Sequence, residues 1–162
     1  DSTRLPAMPR CLALLGIAAL ALVASSGCRL IAPKPIEYSI RTLPSGVVTQ
    51  DIVIPIEKGR PYAREGDSLT LHYTARLADG SVVDSSLDVG IPVTCVLGQE
   101  ALPRGLEQGL VGMRLGAERR IVVPPELAYG AEGVIGLVPP NATVTFIVSL
   151  IELERPEEPE AP

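Results

Sequence analysis

Several things are scarce in this chain, and each scarcity excludes something. There is no tryptophan, one phenylalanine and four tyrosines. Hydrophobic residues still make up 46%, enough for a real core, so wholesale disorder is not expected. One histidine and three cysteines leave little for a metal site, and no metal or other cofactor is expected. The cysteines offer no disulfide within the body: Cys11 and Cys28 flank an apolar run, and Cys95 stands alone. Cys95 sits in the strand-like Val93–Leu97 and reads as a small buried hydrophobe. Positive charge is not in excess. The net charge of −5 and a pI near 4.9 argue against a nucleic-acid partner. No nucleophile–base set supports a hydrolase, and no internal repeat is present.

What is there divides into an address, a body and a tail. The 162 residues suit one domain with appendages. Residues 11–24 are apolar, which fits the core of a signal peptide and is short for a membrane span. Met8-Pro9-Arg10 just before reads as a start with a short basic region, so residues 1–27 are expected to be a signal peptide. The run ends in Ala24-Ser25-Ser26-Gly27-Cys28, which resembles the lipobox of bacterial lipoproteins, although Ser25 stands where leucine is usual. The resemblance implies lipidation of Cys28, a membrane partner through that anchor, and a place in a bacterial cell envelope. With Arg29 next, a Gram-negative host would place it at the periplasmic face of the outer membrane. An ordinary cleaved signal and an uncleaved anchor stay open as alternatives. Residues 28–45, with Pro33, Pro35 and Pro44, read as a tether. Residues 155–162 hold Glu157, Glu158 and Glu160 among three prolines and read as a disordered acidic tail.

Between them the pattern is mostly short strands. Val47–Ile54 is β-rich. Ser68–Leu77 alternates, with Leu69, Leu71, Tyr73, Ala75 and Leu77 on one face and a solvated face that includes His72. Asp79-Gly80 turns the chain. Ser81–Val83, Val93–Leu97 and Arg119–Val123 are further strands, and Ala142–Leu153 is a long last one. In Arg104–Met113, Leu106, Leu110 and Met113 fall on one helical face. Gly105, Gly109 and Gly112 weaken that helix, so packing must hold it. Residues 129–140 form a Gly- and Pro-rich loop. The expected class is α+β: an antiparallel sheet of about five strands with one short helix. A monomer is the default expectation.

These residues resemble the FKBP-type peptidyl-prolyl isomerase family. The matching pieces are Leu71-His72-Tyr73-Thr74, Asp79-Gly80 with Val83-Asp84-Ser85-Ser86, and Gly105 through Met113. They continue in Gly116, Pro124-Pro125-Glu126-Leu127-Ala128-Tyr129-Gly130, Val138-Pro139-Pro140-Asn141-Ala142 and Phe146. Order and spacing hold from about 46 to 153. The resemblance implies a curved sheet with the helix on its concave face, residues 46–154 as the domain, and proline-containing polypeptides as substrates. It implies catalytic positions at Tyr73, Asp84, Tyr129 and Phe146, and pocket edges at Leu102 and Val138. By residue type alone, Tyr73 and Phe146 are equally core aromatics, Asp84 a turn-capping carboxylate and Tyr129 a turn residue.

The departures are specific. Val83 and Val93 stand where the family usually has aromatics, and Leu106 where it has a pocket-base tryptophan. An aromatic buries about 150–250 Å², so a shallower or wider pocket is expected. The family residue whose backbone N–H donates to ligand is here Pro103, which has none. The expected function is a tethered prolyl isomerase for envelope proteins, with these departures pointing to weak activity. A non-catalytic peptide-binding module is the alternative.

Overall fold

The computed structural model describes residues 39–57 and 59–156. The expected signal peptide, Cys28, most of the tether and residues 157–162 lie outside the described residues.

The described residues form seven strands: β1 (Ile40–Thr42), β2 (Val48–Val53), β3 (Ser68–Arg76), β4 (Val82–Ser85), β5 (Val93–Val96), β6 (Glu118–Val123) and β7 (Val144–Glu154). Two helices interrupt them, α1 (Ser86–Val89) and α2 (Arg104–Leu110), with a single 3-10 turn at Pro125–Leu127. The spatial order is β1-β2-β6-β7-β3, with every pairing antiparallel. The free edge of β3 is shared. β4 pairs with Thr74–Arg76, and β5 pairs with Ser68–Leu71.

The expectation of about five strands is corrected to seven. β1 leaves no sequence signature, because its three residues are all exposed and follow a Pro-rich stretch, so it shows no inward–outward pattern. It pairs with β2 from Ile40↔Gln50 to Thr42↔Val48. The sheet therefore takes residues 40–42 from the stretch 28–45 read as tether. The other end also differs. Arg155, read as the start of the tail, is bound to the body through Asp67, with Nε–Oδ1 3.0 Å.

The alternation of β3 and β7 sets the core. Leu69, Leu71, Ala75, Val144, Phe146, Val148 and Leu150 point inward and meet Ile121, Val123 and the α2 residues Leu106 and Leu110. Register shifts in β2 and β3 bend the sheet around the helix. Among the described residues the buried core is drawn from Val47 to Leu150.

The glycines that weaken α2 also explain its position. A Cβ on Gly105 would overlap Val123 Cγ1, and one on Gly109 would overlap Ile121 Cγ2. Two glycines four apart thus give a smooth face that lets α2 lie directly on β6. The helix's far end is held from the sheet. Arg119 of β6 is buried, ion-paired to Asp51 of β2 (2.5 Å), and donates to Gly109 O (2.9 Å), Val111 O (3.2 Å) and Gly112 O (3.3 Å). Those are carbonyls that a helix C-terminus leaves without partners, and a guanidinium also complements the helix dipole there.

Candidate active site

Tyr73 sits mid-strand on β3, between β7 and β4. Its ring lies 6.3 Å from that of Phe146, tilted by 57°, a favourable arrangement for an aromatic pair. Its hydroxyl donates to Asp84 Oδ2. Asp84 reaches that position because β4 pairs Ala75 with Asp84.

The corner beyond Asp84 is pinned by Ser85 and Ser86, which carry no individual role in the sequence pattern. Ser85 caps α1, its hydroxyl accepting from Asp88 N–H (3.3 Å). Buried Ser86 accepts from Tyr73 N–H (2.9 Å) and bonds His72 Nδ1 (3.0 Å). His72 is therefore half-buried with a partner, not simply solvated. A signal for α1 was available: Ser85-Ser86-Leu87-Asp88 has the Ser-x-x-Asp pattern of a capped helix start.

Tyr129 follows the 3-10 turn. Gly130 N–H donates to Pro125 O (2.8 Å) and Asn141 N–H to Gly130 O (2.9 Å), closing the base of loop 130–141. Higher up, Val134 and Val138 exchange backbone hydrogen bonds (2.8 and 2.9 Å). Gly133 lies at φ +64°, where a Cβ would overlap Val138 O. The loop is thus a hydrogen-bonded hairpin. Val138 is buried within it, while Ile135 and Leu137 are exposed.

Burial raises the Tyr73 hydroxyl well above its ordinary pKa, and its bond to Asp84 adds to this. Burial also raises Tyr129, and the Asp84 charge adds to that. Both phenols therefore stay protonated as donors through neutral pH. The Asp84 charge acts on both tyrosines, and Tyr73 also feels Tyr129.

The structure thus brings Tyr73, Asp84, Tyr129 and Phe146 together. Phe146 and Leu106 are fully buried beneath them, at 2% and 1% exposure. Val83, Val93 and Leu102 are half-buried and packed against the same core. Pro103 begins α2, its carbonyl accepting from Leu106 N–H (2.8 Å) and Glu107 N–H (3.1 Å). Leu102 N–H is taken by Glu107 Oε1 (3.4 Å). No free backbone donor is left at 102–103. Among the described residues, no group of three His, Cys, Asp or Glu could hold a metal ion. The arrangement offers an apolar floor, two phenolic donors and one carboxylate. It can bind and orient an amide, and it has no bond-breaking machinery.

Comparison with known proteins gives one family. Residues 59–151 match the FKBP-type peptidyl-prolyl cis-trans isomerase family. The chain is 46% identical over 103 residues to FK506-binding protein 2 of Candida glabrata, covering 63% of this chain and 76% of that one. It is 42% identical over 91 residues to an FK506-binding protein of Neisseria meningitidis serogroup C, covering 56% and 84%. Among solved structures, it resembles AtFKBP13 with a TM-score of 0.64 and 31% identity, covering 70% of this chain and 98% of that one. FkpA from Escherichia coli gives 0.62 and 32%, covering 72% and 52%. An antiparallel sheet wrapped on one glycine-faced helix, with Tyr73, Asp84 and Tyr129 gathered above Phe146, accompanies a family match over more than half its length: the chain belongs to the FKBP-type peptidyl-prolyl cis-trans isomerase family.

Proposed function

We propose that this protein is a membrane-tethered prolyl isomerase that assists the folding of envelope polypeptides, with Tyr73, Asp84, Tyr129 and Phe146 as its catalytic residues. The observation that carries the catalytic part is the cluster itself, in which two protonated phenols and a carboxylate surround an apolar floor.

The chemistry needs little more. Isomerisation breaks no bond; the amide twists over a barrier of roughly 20 kcal/mol. A catalyst need only bind the twisted amide better than the planar one. Twisting removes amide resonance and its charge separation, so an apolar surround favours the twisted form. The proline ring rests among Val83, Val93, Leu102 and Val138, above Phe146 and Leu106. The Tyr129 hydroxyl donates to a substrate carbonyl, while the Tyr73–Asp84 pair holds the opposite wall. Pro103 supplies no N–H to the neighbouring carbonyl, at about 0.5–1.5 kcal/mol for a missing hydrogen bond. Three aliphatic residues at usually aromatic positions also grip the ring less. Both changes favour a slow enzyme.

Tethering rests on Cys28 and the apolar run before it. Among the described residues no helix is long and apolar enough to cross a membrane. In this reading the lipid on Cys28 supplies the anchor. Several acyl chains hold stably, since each buried CH₂ adds roughly 0.8 kcal/mol. Fractionating cells that express the chain and its Cys28→Ala variant tests this. The parent is expected with membranes and the variant in the soluble fraction, and equal partition would refute the anchor. The folding role is tested by adding the protein to a secreted chain whose refolding waits on proline isomerisation. The slow phase is expected to shorten, and an unchanged phase would leave the peptide-binding alternative.

A further inference from the structure

A cavity lies outside the prolyl site, between the β1–β2 edge and the C-terminal end of α2. It measures about 180 Å³ and is lined by Ser39, Arg41, Asp51, Ile54, Tyr62, Gly112, Arg114, Ala117 and Arg119. Three arginines and one carboxylate thus line it, and the Arg119 guanidinium is already engaged by Asp51 and three carbonyls. The cavity therefore keeps a positive excess at Arg41 and Arg114. Arg41 is exposed. Arg114 stacks over the Tyr62 ring at 4.8 Å from its centroid and donates to the Tyr62 hydroxyl. That stack holds one guanidinium fixed at the wall, and a pre-oriented fork suits a phosphate oxygen pair.

Two further observations say what kind of surface carries such a phosphate. The rim is apolar where a lipid boundary would meet it: Ile54 is 38% exposed, Tyr62 45% and Ile56, two residues on, 98%. Aliphatic tips, an amphipathic tyrosine and arginines together are what a headgroup–acyl boundary accepts. The chain also enters the domain here, because Ser39 is part of the wall. At about 3.3–3.6 Å per residue, the stretch from Cys28 to Ser39 spans at most ~40 Å. A lipid on Cys28 would thus hold the domain within reach of the bilayer surface.

We propose that the cavity receives the phosphate of an anionic lipid headgroup at Arg41 and Arg114 and seats the domain on the membrane. The idea rests on the lipid-anchor reading for its biological setting, but its test does not. Docking leaves the prolyl site clear, since none of that site's residues lines the cavity.

The test uses residues 29–162, which contain the whole core and lack Cys28. They are sedimented with vesicles of phosphatidylcholine alone and of phosphatidylcholine with phosphatidylglycerol. Binding is expected only to the second and is expected to weaken with salt. The Arg41→Gln/Arg114→Gln pair should lower it about 20- to 30-fold, at roughly five-fold per arginine near a charged surface. Ile56→Ser should weaken vesicle binding and leave titration by inorganic phosphate unchanged. Equal binding to both vesicles, or no effect of the arginine pair in a folded protein, would overturn the proposal. So would binding of inorganic phosphate with no binding to either vesicle, which would mark a site for soluble oxyanions. Vesicle binding that requires removal of residues 157–162 would assign the cavity to the acidic tail instead. A Cys28 that proves unlipidated would refute the anchor while leaving these outcomes intact.

Discussion

The floor beneath Tyr73 and the rim around it are built by opposite means. The floor is fixed by exclusion. Gly105 and Gly109 admit β6 to within contact of α2, Leu106 and Phe146 are sealed below the surface, and Arg119 ties the helix end to β2. The rim is fixed by hydrogen bonds and leaves its apolar side chains outside. Leu87, Val89 and Ile91 border the corner after Asp84, and Ile135 and Leu137 top the loop after Tyr129, all exposed. Substitutions in the floor should therefore register first as stability. Substitutions in the rim should register as function with little change in stability.

The largest expected effect breaks the floor. Gly109→Val places a branched side chain against Ile121 and should lower stability by about 1–3 kcal/mol or more, read as a reduced denaturation midpoint. An unchanged midpoint would mean that α2 is not held by close approach. Next comes the cluster. Asp84→Ala and Tyr129→Phe should each lower kcat/KM by roughly two- to ten-fold, the worth of one hydrogen bond, at nearly unchanged Tm. Because both phenols have raised pKa values, the rate should stay flat from neutral pH up to the ordinary tyrosine range near 10. A fall tracking a lower pKa would contradict the donor role. Pro103→Val restores a backbone N–H and should raise kcat/KM by a similar factor. The smallest effect sharpens the contrast: Ile135→Ser should alter only the preference for the residue before proline.

A different contact limits the body at acid pH. Arg155 holds the Asp67 carboxyl below the usual carboxylate range. Its folded value lies under its unfolded one, so this stability is complete above the unfolded carboxylate pKa. It is lost as pH falls through the folded value. Arg155→Gln should lower Tm at neutral pH and flatten its decline in acid.

Much of this was legible in the sequence because it is local. The inward alternation of β3 and β7, the helical face of Leu106 and Leu110, and the family pieces around Tyr73, Asp84 and Tyr129 all lie in short stretches. What was missed depends on partners far along the chain. β1 is a strand only because β2 accepts it. Arg119 looks like one of two exposed arginines until Asp51, sixty-eight residues away, is placed beside it. His72 lies on the polar face of its strand, and only the return of Ser86 gives it a partner. The reason that α2 tolerates its glycines is likewise invisible until β6 is laid against them.

The central claim is that the cluster over the buried floor turns the prolyl amide. Cis–trans exchange in a panel of Xaa-Pro peptides, followed by NMR line shape with residues 29–162, measures it directly. Exchange is expected to exceed the uncatalysed rate and to fall in Tyr129→Phe. A folded protein that accelerates exchange in no peptide, and still does not after Pro103→Val, would contradict the claim.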